Sequence, residues 1–367
     1  MTRARPIAAL AFAAAAAMLG ADASAHPAWG VAVDREGRVY FSDLERVWKL
    51  DARGALTLLR DGRGAHQHEI NVDADGNLYG AENSYDPSTR RFFSAVWRIT
   101  PAGDFSYLLP PTDDPPEGTS IWKDGAGNAY HVTHFPGREL LILKRTPGGE
   151  VRALVGGDSA AREYRQGVPY GVGGTAFGPD GSLYFTHGAS LGRLGADGRL
   201  TELARDLPTG GSPAAPPAHS TLLGVAVDAR GVAYVADYGG RRVLKVAPDG
   251  KLTTLLRAEE TWFPAGVAEK GGELYVLEHS VTPAYVPLGT RVRRLSPDGA
   301  VTTLAAVDAN GRPRAAPTPS PAAAPTSRPR EPARRLPYAL LGAGAALLAI
   351  FVAAWFVRAR GGNGSPP

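Results

Sequence analysis

The sequence has 367 residues, of which 44% are hydrophobic and 21% are charged, an ordinary composition for a globular protein. It contains no cysteine, which excludes disulfide bonds, thiol catalysis, cysteine-ligated zinc and a lipid anchor attached to cysteine. The formal charge of +4 misleads, because ten basic and two acidic residues outside 26–308 leave that region with a net charge of −4. A mildly acidic domain gives no electrostatic reason to bind nucleic acid.

Residues 1–25 have the composition of a secretory signal peptide. Two arginines precede an apolar run from Ile7 to Leu19 that is too short to span a bilayer comfortably. The segment Ala23-Ser24-Ala25 supplies the small residues that a signal peptidase needs. We therefore expect export, with an uncleaved anchor as the alternative.

Six copies of one pattern follow, each made of two hairpins. The first hairpin has an apolar strand, a tight turn with Gly and a second strand that contains Tyr, and its copies lie at 30–43, 69–82, 120–133, 174–187, 224–237 and 266–278. The second hairpin carries a basic residue at one register, and its copies lie at 47–59, 96–109, 142–154, 191–203, 243–256 and 292–304. Four short strands per repeat of this length indicate the blades of a β-propeller.

The sequence thus predicts an all-β fold, a six-bladed β-propeller over residues 26–308. Apolar runs such as GVAV are expected on the innermost strands, since both faces of those strands are buried. No strand is left over to complete a blade from the other end of the chain. We therefore expect the ring to close by packing of the sixth blade against the first.

The C-terminal region predicts a membrane anchor. Residues 309–336 are rich in Pro, Ala, Ser, Thr and Arg, which is typical of an extended stalk rather than a packed core. Residues 337–357 carry no charge over 21 positions, enough for a transmembrane helix, and residues 358–367 form a short tail that begins with basic residues. We expect the propeller on the extracytoplasmic side, periplasmic or extracellular; a cleaved sorting signal is the alternative for this tail.

The repeat pattern resembles the NHL-repeat and gluconolactonase-like superfamily of six-bladed propellers over nearly all of residues 26–307. This resemblance implies the fold strongly and the function weakly, because the same scaffold hosts binding modules, lactonases and lyases. Glu117-Gly118 followed by Trp122 looks a little like the Glu-Gly-Pro-x-Trp motif of gluconolactonase-like enzymes, but it lacks the Pro and lies in the third blade. The histidine content is more similar to that of propeller lyases with histidine-bearing central sites.

Histidine and carboxylate residues concentrate on one face of the predicted propeller. The loops between second and third strands, together with the links between blades, share this face and contain all the long insertions, 83–95, 156–173, 205–222 and 279–291. Three residues after the repeating Tyr, each second strand ends in a polar residue: Asp43, Glu82, Thr133, His187, Asp237 and Glu278. Blade two has His68-Glu69 where the other inner strands mostly begin with Gly.

These positions predict a site at the axis. We expect the metal ligands to come from a pool of His68, Glu69, His134, His187 and His279, with Glu82, Asp237 and Glu278 in proton transfer or as outer carboxylates. Histidine with carboxylate suits Zn²⁺, and carboxylates alone would suit Ca²⁺. The alternative is that the carboxylates cap strand ends and the histidines are structural.

Two classes of function stay open at this point. One is a metal-dependent hydrolase or lyase acting on a small extracytoplasmic substrate, without a nucleotide cofactor. The other is a non-catalytic propeller that binds a protein or glycan on its loop face, through aromatic residues such as Phe92, Phe93, Trp262 and Phe263. Neither class involves nucleic acid, and both place the chain at a membrane through its C-terminal helix.

Overall fold

The structure, a computed structural model, describes residues 27–134, 139–165, 171–205, 207, 222–259, 261–282 and 286–314. The predicted signal peptide, transmembrane helix and tail lie outside the described residues, as does most of the stalk. Within the described part of the chain, no helix is long and apolar enough to cross a membrane.

Six antiparallel sheets follow one another along the chain, and each is a blade of the predicted propeller. Blade one contains β1 (Val31–Val33), β2 (Val39–Ser42), β3 (Arg46–Leu50) and β4 (Leu56–Asp61). Blade two contains β5 (Ala65–Val72), β6 (Leu78–Asp86), β7 (Arg91–Ile99) and β8 (Phe105–Thr112). Blade three contains β9 (Ala129–His134), β10 (Leu141–Arg145), β11 (Val151–Val155) and β12 (Gly171–Val172).

The remaining blades repeat the same order. Blade four contains β13 (Thr175–Phe177), β14 (Leu183–His187), β15 (Ser190–Leu194) and β16 (Leu200–Ala204). Blade five contains β17 (Leu222–Val227), β18 (Ala233–Asp237), β19 (Arg242–Val246) and β20 (Leu252–Arg257). Blade six contains β21 (Trp262–Lys270), β22 (Glu273–Val281), β23 (Pro287–Leu295), β24 (Val301–Asp308) and β25 (Pro313–Arg314). The six-bladed fold is therefore confirmed.

Blade six is longer than the sequence indicates. After Asp308 the chain turns and β25 pairs with β24, Val307 opposite Pro313 and Ala306 opposite Arg314. Residues 309–314, which the composition places at the start of the stalk, are thus a turn and a fifth strand of the blade.

Blade three departs from the repeat at its inner strand. The segment predicted at 120–123 makes only an isolated bridge from Lys123 to Ala129, and β12 takes the rest of that edge of β9. Before β12, the helix α1 (Asp158–Arg165) packs Ala160 and Ala161 on Leu141 and Leu143 of the same blade. The long link after β11 therefore contains both a covering helix and part of an inner strand.

The repeating Tyr has a structural role. Its hydroxyl donates to the Asp that opens the preceding turn, as in Tyr40 to Asp34 (2.9 Å), Tyr79 to Asp73 (3.0 Å), Tyr130 to Asp124 (3.0 Å) and Tyr234 to Asp228 (3.2 Å). The same carboxylates accept backbone N–H groups of their turns. The basic residue of the second hairpin lies opposite this Tyr on the neighbouring strand, so its conserved register follows from the pairing of the two hairpins.

The ring closes through apolar packing between its last and first blades. Phe41 and Trp48 of blade one join Leu277 and Val292 of blade six in one buried cluster. No strand is exchanged between these two sheets, since β1–β4 and β21–β25 form separate sheets. The expectation that closure rests on side-chain packing is confirmed.

The inner strands approach each other very closely around the axis. A Cβ placed on Gly224 would lie 2.8 Å from the Cα of Gly266, and one on Gly266 would lie 2.2 Å from the carbonyl oxygen of Trp29. Larger residues at these positions would push neighbouring blades apart. This closeness makes the axial channel narrow and fixes which side chains can enter it.

Closure by packing predicts a large cost for removing its central side chain. Phe41→Ala deletes a fully buried ring at the junction of blades one and six, so we expect the free energy of unfolding to fall by about 3–5 kcal/mol. Phe105→Ala is the matched control, because that ring is 42% exposed and should cost much less. Urea unfolding of both variants measures the difference; equal losses would contradict this mode of closure.

Candidate functional site

One carboxylic acid lies at the axis of the propeller. Counting back from the repeating Tyr, the inner strands have Gly30, Glu69, Ser120, Gly174, Gly224 and Gly266 at one register. A cavity of about 20 Å³ at this level is lined by Glu69 together with residues of the inner strands of all six blades. A volume of that size has room for one water molecule.

A β-bulge places Glu69 at this position. The pairing of β5 with β6 runs from Gln67 opposite Glu82 to Glu69 opposite Ala81, which leaves His68 as the extra residue. Bulges redirect the following side chains and recur next to active sites. Gln67 then points into the sheet interface, where its amide accepts from Trp97 Nε1 (2.8 Å) and donates to Glu82 (2.6 Å).

One indole binds the Glu69 carboxyl and a second indole lies beside it. Trp29 Nε1 donates to Oε1 of Glu69 at 3.3 Å. The Trp122 indole N–H also lies near this carboxyl, and its Nε1 is buried without a completed hydrogen bond to protein. Burial in these apolar surroundings raises the pKa of Glu69 to about 7, against the smaller opposing effect of the Trp122 and Trp29 N–H groups. Glu69 is therefore a carboxyl that exchanges its proton near neutral pH.

Trp29 connects Glu69 to the opposite side of the ring. Its indole lies in a buried cluster with Leu223 and Tyr238 of blade five and Phe263 of blade six. On the other side it faces the His68 ring, with centroids 5.4 Å apart, and His66 lies next to His68 at 5.7 Å. The upper end of the channel, where the inner strands begin, is thus lined by aromatic and imidazole rings.

The three carboxylates expected in proton transfer are held in ion pairs. Glu82 accepts from Arg60 Nη2 at 2.6 Å, and also from Gln67 and the Tyr107 hydroxyl. Asp237 accepts from Arg242 Nε and from the Gly240 backbone N–H, both at 2.7 Å.

Glu278 is fully buried and pairs with Arg291 Nε (2.6 Å) and with Arg293. These contacts match the alternative in which carboxylates at this register cap strand ends. Their guanidinium partners, which the sequence did not single out, hold these carboxylates in place.

His279 closes the ring rather than facing the axis as a free ligand. Its Nε2 bonds the carbonyl oxygen of Ala28 at 2.6 Å, and its Nδ1 bonds the Thr290 hydroxyl at 3.0 Å. Complete burial lowers the pKa of His279, so the ring is neutral at pH 7. Nε2–H donates to the carbonyl oxygen and Nδ1 accepts from the hydroxyl, so the ring has no free lone pair for a metal.

The other predicted ligands lie on separate blades. His187 ends β14, with its ring 5.6 Å from that of Phe185, and burial lowers its pKa. His134 ends β9, and its side chain lies outside the described part of the structure, as do His26 and His219. Among the described residues, no three His, Asp or Glu side chains come together in a group that could hold a metal ion. The predicted donors that are described therefore do not fit a shared metal site, although Glu69 lines the axial cavity and the His68 ring lies near Trp29, which also lines it.

The sequence analysis did not place Trp29 or Trp122 at this site, although Trp122 stands in the motif-like segment that begins at Glu117. Each lies close to the axial register in the sequence. Trp29 directly precedes Gly30, and Trp122 follows Ser120 by two residues. Aligning the six copies on their Tyr and reading these columns for large side chains would have found them. What no alignment of the copies shows is that two indoles from blades one and three meet the carboxyl of blade two.

Comparison with known proteins gives structural likeness without a family. No family model matches the sequence, and no curated protein matches it. A virginiamycin B lyase from Staphylococcus aureus is 16% identical, covering 75% of this chain and 83% of its own, with a TM-score of 0.41. A gluconolactonase from Xanthomonas campestris is 16% identical, covering 68% and 83%, with a TM-score of 0.45.

The calcium-binding protein regucalcin from Agrobacterium tumefaciens is 16% identical, covering 68% and 81%, with a TM-score of 0.42. The fold assignment for this chain rests on its own strand order.

The raised pKa of Glu69 predicts a specific pH dependence of stability. The folded pKa of about 7 lies above the usual 4.5, so the folded state holds this proton longer than the unfolded chain. The resulting stability is complete below pH 4.5 and is lost as the pH rises through 7. Between pH 5 and 8.5 this lowers the free energy of unfolding by about 2–3 kcal/mol.

The variant Glu69→Gln should lack this component, while the exposed Glu150→Gln should keep it. Urea unfolding of the wild type and both variants at pH 5 and 8.5 measures the effect. Equal pH dependence in wild type and Glu69→Gln would contradict the axial placement of the carboxyl.

Proposed function

We propose that this chain is an exported, membrane-anchored propeller enzyme of the hydrolase or lyase kind, acting on a small extracytoplasmic substrate. Its acid–base group is Glu69. The observation that carries the proposal is the position of this carboxyl, next to a void at the axis, with a pKa of about 7. A carboxyl with such a pKa gives and takes a proton at neutral pH, as general acid–base catalysis requires.

The size of the void supports a role for Glu69 in exchanging a proton with a single oxygen atom of the substrate or of water. The void beside Glu69 holds about one water, so it accommodates a single reacting oxygen, either a water or a substrate carbonyl oxygen. Protonated Glu69 donates a hydrogen bond to such an oxygen, and the Trp122 N–H near this carboxyl supplies a second donor. The remainder of a substrate then lies above the void, beside Trp29 and His68.

The assignment of Glu69 as acid–base group uses no metal, because the described donors do not form a first coordination shell. The expectation of Zn²⁺ or Ca²⁺ stays a prediction with its own measurement. A stoichiometric divalent metal in the purified protein, lost in both His187→Ala and Glu69→Ala, would establish a metal-dependent reaction. Unchanged metal content in both variants would show that His187 and Glu69 are not metal ligands.

Export and anchoring are part of the proposal on composition alone. The small residues before His26 and the charge-free run at 337–357 support an extracytoplasmic propeller attached by a C-terminal helix.

A non-catalytic binding propeller is the second candidate, and one observation favours it. All the strongly exposed aromatic side chains among the described residues, Tyr85, Phe92, Phe105 and Tyr107, lie on blade two. Exposed aromatic groups of this kind mark interaction surfaces. Two other aromatic residues expected in such a surface are not available to a partner in the same way. Phe263 is buried, and the Trp262 ring is covered by Arg291, whose guanidinium carbon lies 4.1 Å from the ring centroid.

The test of the enzyme proposal is a screen of the full-length protein against small lactones, esters and β-elimination substrates. We expect one class to be turned over, with kcat/KM changing around pH 7 and falling at least about 100-fold in Glu69→Gln, the usual scale for losing a general acid or base. Activity that falls above pH 7 identifies Glu69 as the acid, and activity that falls below pH 7 identifies it as the base.

Glu150→Gln serves as the control and should keep full activity, because the Glu150 side chain is exposed in the turn between β10 and β11 of blade three. Turnover that survives Glu69→Gln would overturn the role of Glu69. No turnover of any class, combined with saturable binding of a protein or glycan, would favour the second candidate.

A further inference from the structure

Among the described residues, two hairpins stand above the rest of the upper face, which is the face on which the inner strands begin. In blades one, four and five, the second strand ends two or three residues after the repeating Tyr. In blade two it continues seven residues, to Asp86, and in blade six it continues six residues, to Val281. At about 3.3 Å per residue, these hairpins rise roughly 10 Å beyond their neighbours. They stand on either side of blade one.

The tall hairpins end in exposed apolar side chains. Phe92 is 67% exposed and Val286 is 56% exposed, the two highest values among the large hydrophobic residues that the structure describes. Tyr85 packs beside Phe92 with ring centroids 4.9 Å apart, and Leu288 lies near Val286. An isolated exposed side chain needs no explanation, but two raised tips with such residues on one face indicate a common partner.

The described chain ends beside these hairpins. The last turn of blade six lies against blade one, since a Cβ on Gly311 would lie 2.6 Å from Arg46 Nε, and β25 then runs only to Arg314. Both segments are at the upper rim, where β24 ends and β3 begins. From Arg314 to the charge-free run at 337–357 there are 22 residues, a tether of at most about 75 Å. The described chain therefore ends at the rim of the face that carries both tips.

We propose that the upper face is turned toward the lipid bilayer, with the tips of the blade two and blade six hairpins seated in its interface. This inference rests on the membrane anchor of the proposed function. A flat bilayer touches both raised tips at once, which a compact ligand on one blade does not. Tyr and Phe side chains favour the interfacial layer of a membrane, and Leu and Val its apolar edge.

Charge at the blade two tip is compatible with lipid headgroups. Arg90 and Arg91 directly precede Phe92, so their guanidinium groups lie at the level where lipid phosphates would be found. Arg91 pairs with Asp113, and Asp86 bonds Ser88 and Thr89 of its own turn. The Asp86 carboxylate is bonded within the turn, and among the described residues no carboxylate pairs with Arg90, so this side chain can meet an anionic headgroup.

The absence of cysteine allows a direct test, because any introduced cysteine is the only labelling site. The full chain carrying Phe92→Cys or Leu288→Cys is labelled with a polarity-sensitive fluorophore and reconstituted into vesicles of phosphatidylcholine and phosphatidylglycerol. The control is Leu200→Cys, a position 45% exposed that follows a turn on the opposite face. Flotation of the vesicles first shows whether the chain is anchored.

We expect the labels at positions 92 and 288 to shift to the blue and to be quenched by a nitroxide carried on the lipid chains, with neither effect at position 200. A chain that floats with all three labels in water overturns this inference and leaves the anchor intact. A chain that does not float overturns both. A blue shift that depends on protein concentration and not on the lipid-borne quencher identifies a second copy as the partner, and also overturns the proposal.

Discussion

The close approach of six inner strands around one axis is the constraint on which the rest of this structure depends. Each sheet has two faces to bury, and in a ring each blade covers its neighbours, so the spacing at the axis fixes the spacing of every interface. Gly224 and Gly266 permit that approach, since any side chain there would meet backbone of the next blade. The junction of blades six and one uses the same kind of packing as the others, with Phe41 and Leu277 in its core and the His279 bond to Ala28 at its upper end.

The same constraint explains why the pKa of the one carboxyl at the axis, that of Glu69, is raised. Where four blades place glycine at the axial register, blade two places Glu69, in a space that admits little water. The charged form is poorly solvated there, and indole N–H groups from blades one and three offset only part of that cost. A residue that would be an ordinary acid on the surface thus becomes a proton donor and acceptor near pH 7.

Three other carboxylates on the upper face have different partners from Glu69, because each of them lies beside an arginine. Glu82, Asp237 and Glu278 are as buried as Glu69 or more so, and each pairs with an arginine from the next strand or from the next blade. Burial alone therefore does not distinguish Glu69 from these three carboxylates. Their partners do, since Glu69 accepts from an indole N–H whereas each of the other three carboxylates pairs with an arginine side chain.

The sequence by itself determined the number of blades, the boundaries of all but blade three to within a few residues and the manner of closure, because those follow from strand periodicity and turn residues that are local along the chain. It also drew attention to Glu69, since a charged residue in a column of glycine is visible in the repeats. Only the tertiary structure decided the chemistry of the site, because Trp29, Trp122 and Arg60 reach their carboxylates from other blades. It likewise decided that His279 holds Ala28 and that part of the inner strand of blade three comes from residues 171–172, since contacts between distant segments leave no periodic trace in the sequence.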